Sequence, residues 1–265
     1  MNSLIYDCDG VLAETERDGH LRAFNKMFKE VGLPVEWTER DYADVLQIAG
    51  GKERLRSLCT PEFIVENKLP MDSSQLDAEI ANWHRVKTRI FLEIAAGDGM
   101  PARRGVRRLA EEALARDWRI GVASTSSLEA VRAIALKSLG PNIVREAVIV
   151  AGDMVPRKKP APDVYLSAMA ALGAAPENSV AVEDSRIGVT AASAAGMAVI
   201  ATISHFTRDE DLSVAQIVTD ELGEPGGRPL KIRSNETGLP VEDHISIDHA
   251  VACIEAHATL LPTQL

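Results

Sequence analysis

Tyr6-Asp7-Cys8-Asp9-Gly10-Val11-Leu12 is the stretch from which the rest of the chain can be read. Ahead of it, Ser3-Leu4-Ile5-Tyr6 is a short apolar run that predicts a strand, and Gly10 lets the chain turn sharply at its end. Residues two apart on a strand point the same way, so Asp7 and Asp9 share one side and Cys8 takes the other. Two carboxylates ~4 Å apart repel by about 4 kcal/mol at an effective dielectric of about 20. Such a pair at a strand end invites a cation, a shared proton, or both. An acidic turn with no chemistry is the plainer alternative, and the remaining chain has to decide between them.

Residues 14 to 92 carry helical patterning and no strand pattern. Leu21, Phe24, Phe28 and Val31 recur at helical spacing and stop at Gly32-Leu33-Pro34, a C-cap followed by a breaker. Thr38 predicts a cap for a second helix, with Asp41 placed as the capping-box acid. After Gly50-Gly51-Lys52-Glu53-Arg54 and a turn at Thr60-Pro61, a long helix carries the stripe Leu76, Ile80, Trp83, Val86, Ile90 and Ile94. Helices inserted directly behind a first strand suggest a lid, here residues 15–92.

From about residue 100 strands alternate with helices. Strands are expected at 119–123, 147–150, 179–182, 198–201 and 215–218, with helices at 105–116, 128–139, 163–172 and 187–195. Short continuous apolar strands alternating with helices predict a doubly wound, Rossmann-like parallel sheet with both faces covered. The α/β core is thus 1–14 plus 93–222, and 223–265 is an extension ending in a helix at 248–260.

In such a sheet, ligands bind at the carboxyl ends of strands. Those ends carry Asp7 and Asp9, then Ser124 and Thr125, then Lys159 ahead of Pro160, then Glu183 and Asp184. Four carboxylates at one rim call for a hard cation, and oxygen ligands point to Mg²⁺. A cation, a lysine and a hydroxyl together are equipment for stabilising a phosphoryl group in transfer.

The ordered set Asp7-Cys8-Asp9-Gly10-Val11-Leu12, Ser124, Lys159-Pro160 and Glu183-Asp184 resembles the four motifs of the haloacid-dehalogenase superfamily, and the helical insert resembles its C1-type cap. Ala13-Glu14-Thr15-Glu16, Arg22-Ala23-Phe24-Asn25, Gly50-Gly51-Lys52-Glu53-Arg54 and Lys158-Lys159-Pro160-Ala161-Pro162-Asp163 resemble, more narrowly, the CbbY-like sugar-phosphate phosphatases, kin of β-phosphoglucomutase. Asp18-Gly19 sets His20 one residue further from the first aspartate than in the mutase, a spacing similar to the CbbY-like proteins. The likeness covers about residues 2–220.

The resemblance implies a two-step mechanism. Asp7 is the nucleophile and forms an aspartyl-phosphate, and Asp9 is the acid, then the base. Mg²⁺ would be held by Asp7, the backbone carbonyl of Asp9, and Asp184, with Glu183 beside it or linked through water. Ser124 would bind a phosphoryl oxygen, and Lys159 would neutralise it and position Asp7. Glu14, His20, Lys52, Arg54, Lys87 and Thr125 match substrate-facing positions, Arg54 being the fork-shaped partner for a remote phosphate. The implied substrate is xylulose 1,5-bisphosphate, losing its 1-phosphate to give xylulose 5-phosphate. A β-phosphoglucomutase-type transferase is the alternative enzyme, and a non-catalytic phosphosugar-binding regulator the alternative outside enzymes.

Composition sets further bounds. The 265 residues suffice for a core plus an inserted domain, and the net charge of −10 argues against nucleic acid and an anionic membrane surface as partners. Cys8, Cys59 and Cys253 are odd in number and scattered, which suits a reducing compartment rather than a disulfide framework. No apolar run approaches the ~18 residues of a membrane span. With a strand beginning beside Met1, no signal peptide is expected; the location expected is cytoplasmic, or plastid stroma for a trimmed precursor. The partner expected is a small sugar phosphate, the chain itself being a monomer or weak dimer.

Other signals are weaker. Gly97-Asp98-Gly99 lacks the third glycine of a dinucleotide fingerprint, and Ser124–Ser127 lacks a nucleophile elbow. Arg103, Arg104, Arg107 and Arg108 read as an exposed basic helix face. His249, Cys253 and His257 share a helix face, yet eight residues of helix span ~12 Å and zinc–nitrogen bonds are ~2 Å, so all three cannot reach one ion.

Overall fold

The computed structural model describes residues 1–97 and 100–260, so Asp98 and Gly99 of the Gly-Asp-Gly stretch lie outside the described residues. Two compact units result, one of Met1–Glu14 with Pro101–Leu265 and one of Thr15–Met100.

The first unit is built on a seven-stranded sheet. Its strands are β1 (Ser3–Tyr6), β2 (Arg119–Ala123), β3 (Val148–Val150), β4 (Ser179–Glu183), β5 (Ala198–Thr202), β6 (Ile217–Thr219) and β7 (Ile232–Asn235). Their order is β3-β2-β1-β4-β5-β6-β7. Every pairing from β3 to β6 is parallel, and only β7 runs antiparallel, against β6. The chain order reverses at β1, which pairs with both β2 and β4, and that is where a doubly wound sheet opens a crevice for ligand.

Among the described residues, the regular elements of the second unit are all helices. A π-helical segment at Glu16–Leu21 leads into α1 (Arg22–Glu30), followed by α2 (Glu39–Leu46), α3 (Gly51–Leu58), α4 (Pro61–Glu66) and α5 (Ser73–Ala96). Thr38 and Asp41 form the capping box that starts α2. The core is aromatic. Trp37 meets Phe24 and Phe28 edge-on with centroids 4.9 Å apart in each case, and Asn25 clamps the Trp37 backbone with two 2.8 Å bonds. The buried face of α5 is rotated from the apolar stripe, for it includes Lys87 and Phe91 while Val86 and Ile94 are only half-buried.

Helices α6 (Val106–Ala115), α7 (Leu128–Leu139), α8 (Pro141–Glu146), α9 (Asp163–Leu172), α10 (Arg186–Ala194) and α11 (Ile247–Leu260) cover the sheet. On one face, Ile5, Ala123, Ala181 and Val199 pack with Val164, Tyr165 and Ala168 of α9 and the small residues Ala191 and Ala192 of α10. Alternation puts Tyr6 on the opposite face, where its hydroxyl donates to the Val106 carbonyl of α6 at 3.1 Å. The extension belongs to this unit, with β7 closing the sheet edge and α11 packing on β4, β5 and α6.

The basic run is not an exposed helix face. Arg103 and Arg104 precede α6, and the side chains of Arg103 and Arg108 are only 10% and 15% exposed. Arg108 donates to the carbonyls of Leu222, Gly223 and Ile245 over 2.9–3.1 Å, tying the extension to α6. Their burial has a common reason: backbone carbonyls left open where strands and loops end need donors, and a guanidinium offers five N–H groups.

Candidate active site

β1 runs out at Tyr6, and the Asp7 N–H still bonds the Val182 carbonyl of β4 at 2.9 Å, so Asp7 is pinned to the sheet. Gly10 then takes φ +77°, and a Cβ there would come within 2.0 Å of Asp184 Oδ2; only glycine lets this turn lie against that carboxylate. β4 carries Glu183 as its last residue, and Ser185 caps α10 by accepting the Gly188 N–H, which turns Asp184 back toward β1. A Cβ on Gly188 would lie 2.0 Å from Glu183 Oε2, so that glycine makes room for the glutamate.

Lys159, buried at the start of the Lys-Pro turn, joins these pieces. Its ammonium lies 2.6 Å from Asp7 Oδ1, 2.6 Å from Glu183 Oε1, 3.0 Å from the Ala123 carbonyl and 3.2 Å from the Tyr165 hydroxyl. Tyr165 donates its hydroxyl to Glu183 Oε1, and the Asp184 N–H donates to Glu183 Oε2 at 3.1 Å. Ligand-capable oxygens of Asp7, Glu183 and Asp184 all lie within 4.8 Å of one another. The Asp9 carboxylate is outside that trio: Ser126 donates to its Oδ2 at 2.6 Å, and Ser124 Oγ is 3.5 Å from the same atom.

The electrostatics follow from burial. Desolvation pushes Asp7 up to about 8; Lys159 opposes that, while Glu183 and Asp9 add to it. Burial likewise holds Asp184 well above the usual carboxylate range, with Asp7 and Glu183 reinforcing the shift. For Lys159, burial alone would pull the ammonium down, but Asp7 and Glu183 outweigh it and hold the charge firmly in place. Ionised, these three buried carboxyl groups outnumber the one ammonium, and their all-oxygen donor set fits a hard divalent cation such as Mg²⁺.

Glu14, also in the α/β unit, is one-third exposed, accepts the His205 N–H at 3.3 Å and lies 3.8 Å from Arg103 Nε. Thr125 is half-buried, and its backbone carbonyl lies where a Cβ on Gly152 would sit.

In the helical unit the expected substrate-facing residues fall into separate groups. Lys87 Nζ is 2.7 Å from His20 Nδ1, both buried, with the imidazole stacked on Phe91 at 4.1 Å. Lys87 being the donor, the ring hydrogen of His20 sits on Nε2. Arg54 is buried beside buried Tyr42 and half-buried Glu16: it donates to the Ile48 carbonyl at 2.9 Å and to the Tyr42 hydroxyl at 3.0 Å, and its Nη1 lies 3.4 Å from Glu16 Oε1. Lys52, two residues earlier and therefore ~200° around α3, lines a different cleft with Arg56 and Asp77.

Several of these partners escaped the sequence reading. Ser126 was within the serine cluster but indistinguishable from its neighbours, and Tyr165 lay within the helix expected at 163–172 with nothing to mark it out. Glu16 and Tyr42 carried no spacing signal. Among the described residues, His249, Cys253 and His257 are not gathered into a group that could share an ion: His249 accepts from the Ser246 N–H at 3.0 Å and donates to the Pro240 carbonyl at 2.9 Å, and Cys253 is buried with its thiol pushed up by desolvation.

A Rossmann-like sheet with acids, a buried lysine and serines gathered at its switch point defines a doubly wound α/β protein with its polar site at the strand ends. The haloacid dehalogenase-like hydrolase family matches residues 1–196, and the chain belongs to that family. It is 43% identical over 224 residues to a CBBY-like protein of Arabidopsis thaliana, covering 84% of this chain and 70% of the relative. Among solved structures, CbbY from Rhodobacter sphaeroides in complex with phosphate superposes with a TM-score of 0.73 at 35% identity, covering 83% of this chain and 94% of that one. A mutant of the same protein, solved with xylulose-(1,5)bisphosphate, gives a TM-score of 0.73 at 36% identity over the same shares. Within its family the chain is therefore CbbY-like, and its enzyme class is that of a phosphatase.

Proposed function

We propose that this chain is a cation-dependent phosphatase of sugar bisphosphates that works through an aspartyl-phosphate on Asp7, with xylulose 1,5-bisphosphate as substrate. The observation that carries the reaction is the buried Lys159 ammonium 2.6 Å from Asp7 Oδ1, beside the trio of Asp7, Glu183 and Asp184. The substrate rests on the likeness to a CbbY that binds this bisphosphate.

Asp7 attacks phosphorus, the bond to the sugar oxygen breaks, and Asp9 gives that oxygen its proton. Water then attacks phosphorus, Asp9 takes a proton from it, and the bond to Asp7 breaks to release orthophosphate. Lys159 offsets charge on the phosphoryl oxygens, and Ser124 donates to one of them. Asp7, Asp184 and the Asp9 carbonyl, with Glu183 nearby, would hold Mg²⁺, which would supply Lewis-acid stabilisation of phosphoryl charge. The helical unit acts as the cap that selects the sugar, through the His20–Lys87 pair and the Arg54–Tyr42–Glu16 group; Glu14 and Thr125 face substrate from the core unit.

Orthophosphate release over a panel of sugar mono- and bisphosphates, with Asp7→Asn as the control, tests this reading. Xylulose 1,5-bisphosphate should lead the panel by kcat/KM, yielding xylulose 5-phosphate. Conversion of β-glucose 1-phosphate to the 6-phosphate without phosphate release would overturn it in favour of a mutase.

A further inference from the structure

The Lys159 ammonium has three hydrogens and four oxygen neighbours within 3.2 Å, on Asp7, Glu183, Ala123 and Tyr165. Every hydrogen is thus committed inside the protein. To meet a phosphoryl oxygen, as the proposed reaction requires, Lys159 has to release one of these acceptors. Releasing a buried carboxylate with no other donor would leave it unpaired, which is costly.

Glu183 Oε1 is the acceptor that has a second donor, the Tyr165 hydroxyl. Tyr165 is the third residue of α9, fully buried, and its ring lies 4.7 Å from the Lys159 ammonium. Its one hydrogen goes to Glu183, and its oxygen accepts from Lys159. The other Glu183 oxygen is held separately by the Asp184 N–H at 3.1 Å. Glu183 therefore keeps a donor on each oxygen if Lys159 turns away.

We infer that Tyr165 is a positioning residue for phosphoryl transfer: its hydroxyl keeps Glu183 satisfied and in place, which frees a hydrogen of Lys159 for the transferring group. The role rests on the proposed reaction. It assigns to Tyr165 a contribution that appears as charge accumulates on the phosphoryl oxygens, not when the sugar binds.

Tyr165→Phe removes the hydroxyl and keeps the ring. The test measures orthophosphate release against xylulose 1,5-bisphosphate concentration with Mg²⁺ present, inhibition by orthovanadate, and thermal melting, on wild type, Tyr165→Phe and Asp7→Asn. A fall in kcat of roughly tenfold, KM within about twofold, and a matching rise in the vanadate inhibition constant are expected. Unchanged kcat in Tyr165→Phe, with wild type active and Asp7→Asn inactive, overturns the role of Tyr165 alone. So does a fall in kcat that vanadate does not follow, with a lower melting temperature, since that marks a structural role only. A wild type that releases no phosphate from any panel sugar, or an Asp7→Asn protein as active as wild type, overturns the reaction and this inference with it.

Discussion

Ser126 donates a 2.6 Å hydrogen bond to Asp9 Oδ2, while Ser124, the serine that the motif singles out, is 3.5 Å from the same oxygen. Ser126 also donates its N–H to Ser124 Oγ at 3.1 Å, so the two serines form one bracket around Asp9. In the proposed reaction Ser126 orients the acid–base carboxylate and leaves Ser124 for the phosphoryl group. Ser126→Ala should lower kcat by about five- to tenfold with little change in KM, and Ser126→Thr should recover most of it. Initial-rate kinetics on the three proteins would show it.

Asp7→Asn keeps the size of the nucleophile and removes its charge. Turnover should fall by at least about a thousandfold, because no aspartyl-phosphate can form. Orthophosphate release decides this, and residual activity within tenfold of wild type would place the nucleophile elsewhere.

The raised pKa of Asp7 also gives stability a pH dependence. Its carboxyl is shifted from 3.8 to about 8, chiefly by burial, so between those values the native protein binds a proton that the unfolded chain has released. That contribution is fully present below pH 3.8 and is lost as pH rises through about 8. Metal-free protein should therefore lose stability across this window, Asp7→Asn should flatten the slope, and added Mg²⁺ should raise the melting temperature most at the alkaline end. Melting curves across the window, with chelator and with Mg²⁺, check the sign.

Arg103 donates to the carbonyls of Gly10, Thr202, Ile203 and Asp220, tying the turn behind Asp9 to the ends of β5 and β6. Arg103→Ala leaves these carbonyls without their donor and should destabilise the protein by ~2–4 kcal/mol in urea unfolding. Arg103→Lys should restore only part of this, since an ammonium lacks the planar fork. Arg107→Ala, from the same run but exposed and paired with Glu111, should stay within ~0.5 kcal/mol. Equal losses for the two alanine variants would remove the special place of Arg103.

Much of this architecture was legible along the chain. Apolar runs such as Ser179-Val180-Ala181-Val182 and Ala198-Val199-Ile200-Ala201 can be satisfied only inside a sheet covered on both faces, and α7 and α9 begin and end where patterning, Pro162 and Gly173 place them. Once the sheet is parallel, residues at strand ends meet at one rim, so Asp7, Lys159, Glu183 and Asp184 converge although the first and last lie 177 positions apart. β7 was not legible, because Ile232–Asn235 is a polar edge strand with no apolar alternation to announce it.

What the amino-acid order determined by itself is therefore most of the core strands and helices, the doubly wound sheet and the identity of the rim acids and lysine, since these depend on local periodicity and on one topological rule. Which polar groups pair was decided only in three dimensions. Arg103 is buried while Arg107 is exposed, Ser126 rather than Thr125 reaches Asp9, Tyr165 bonds Glu183, and Lys52 turns away from Arg54. The reason is physical: a polar side chain takes whichever unsatisfied carbonyl or carboxylate the packing presents to it, and that partner is set by contacts far away in sequence.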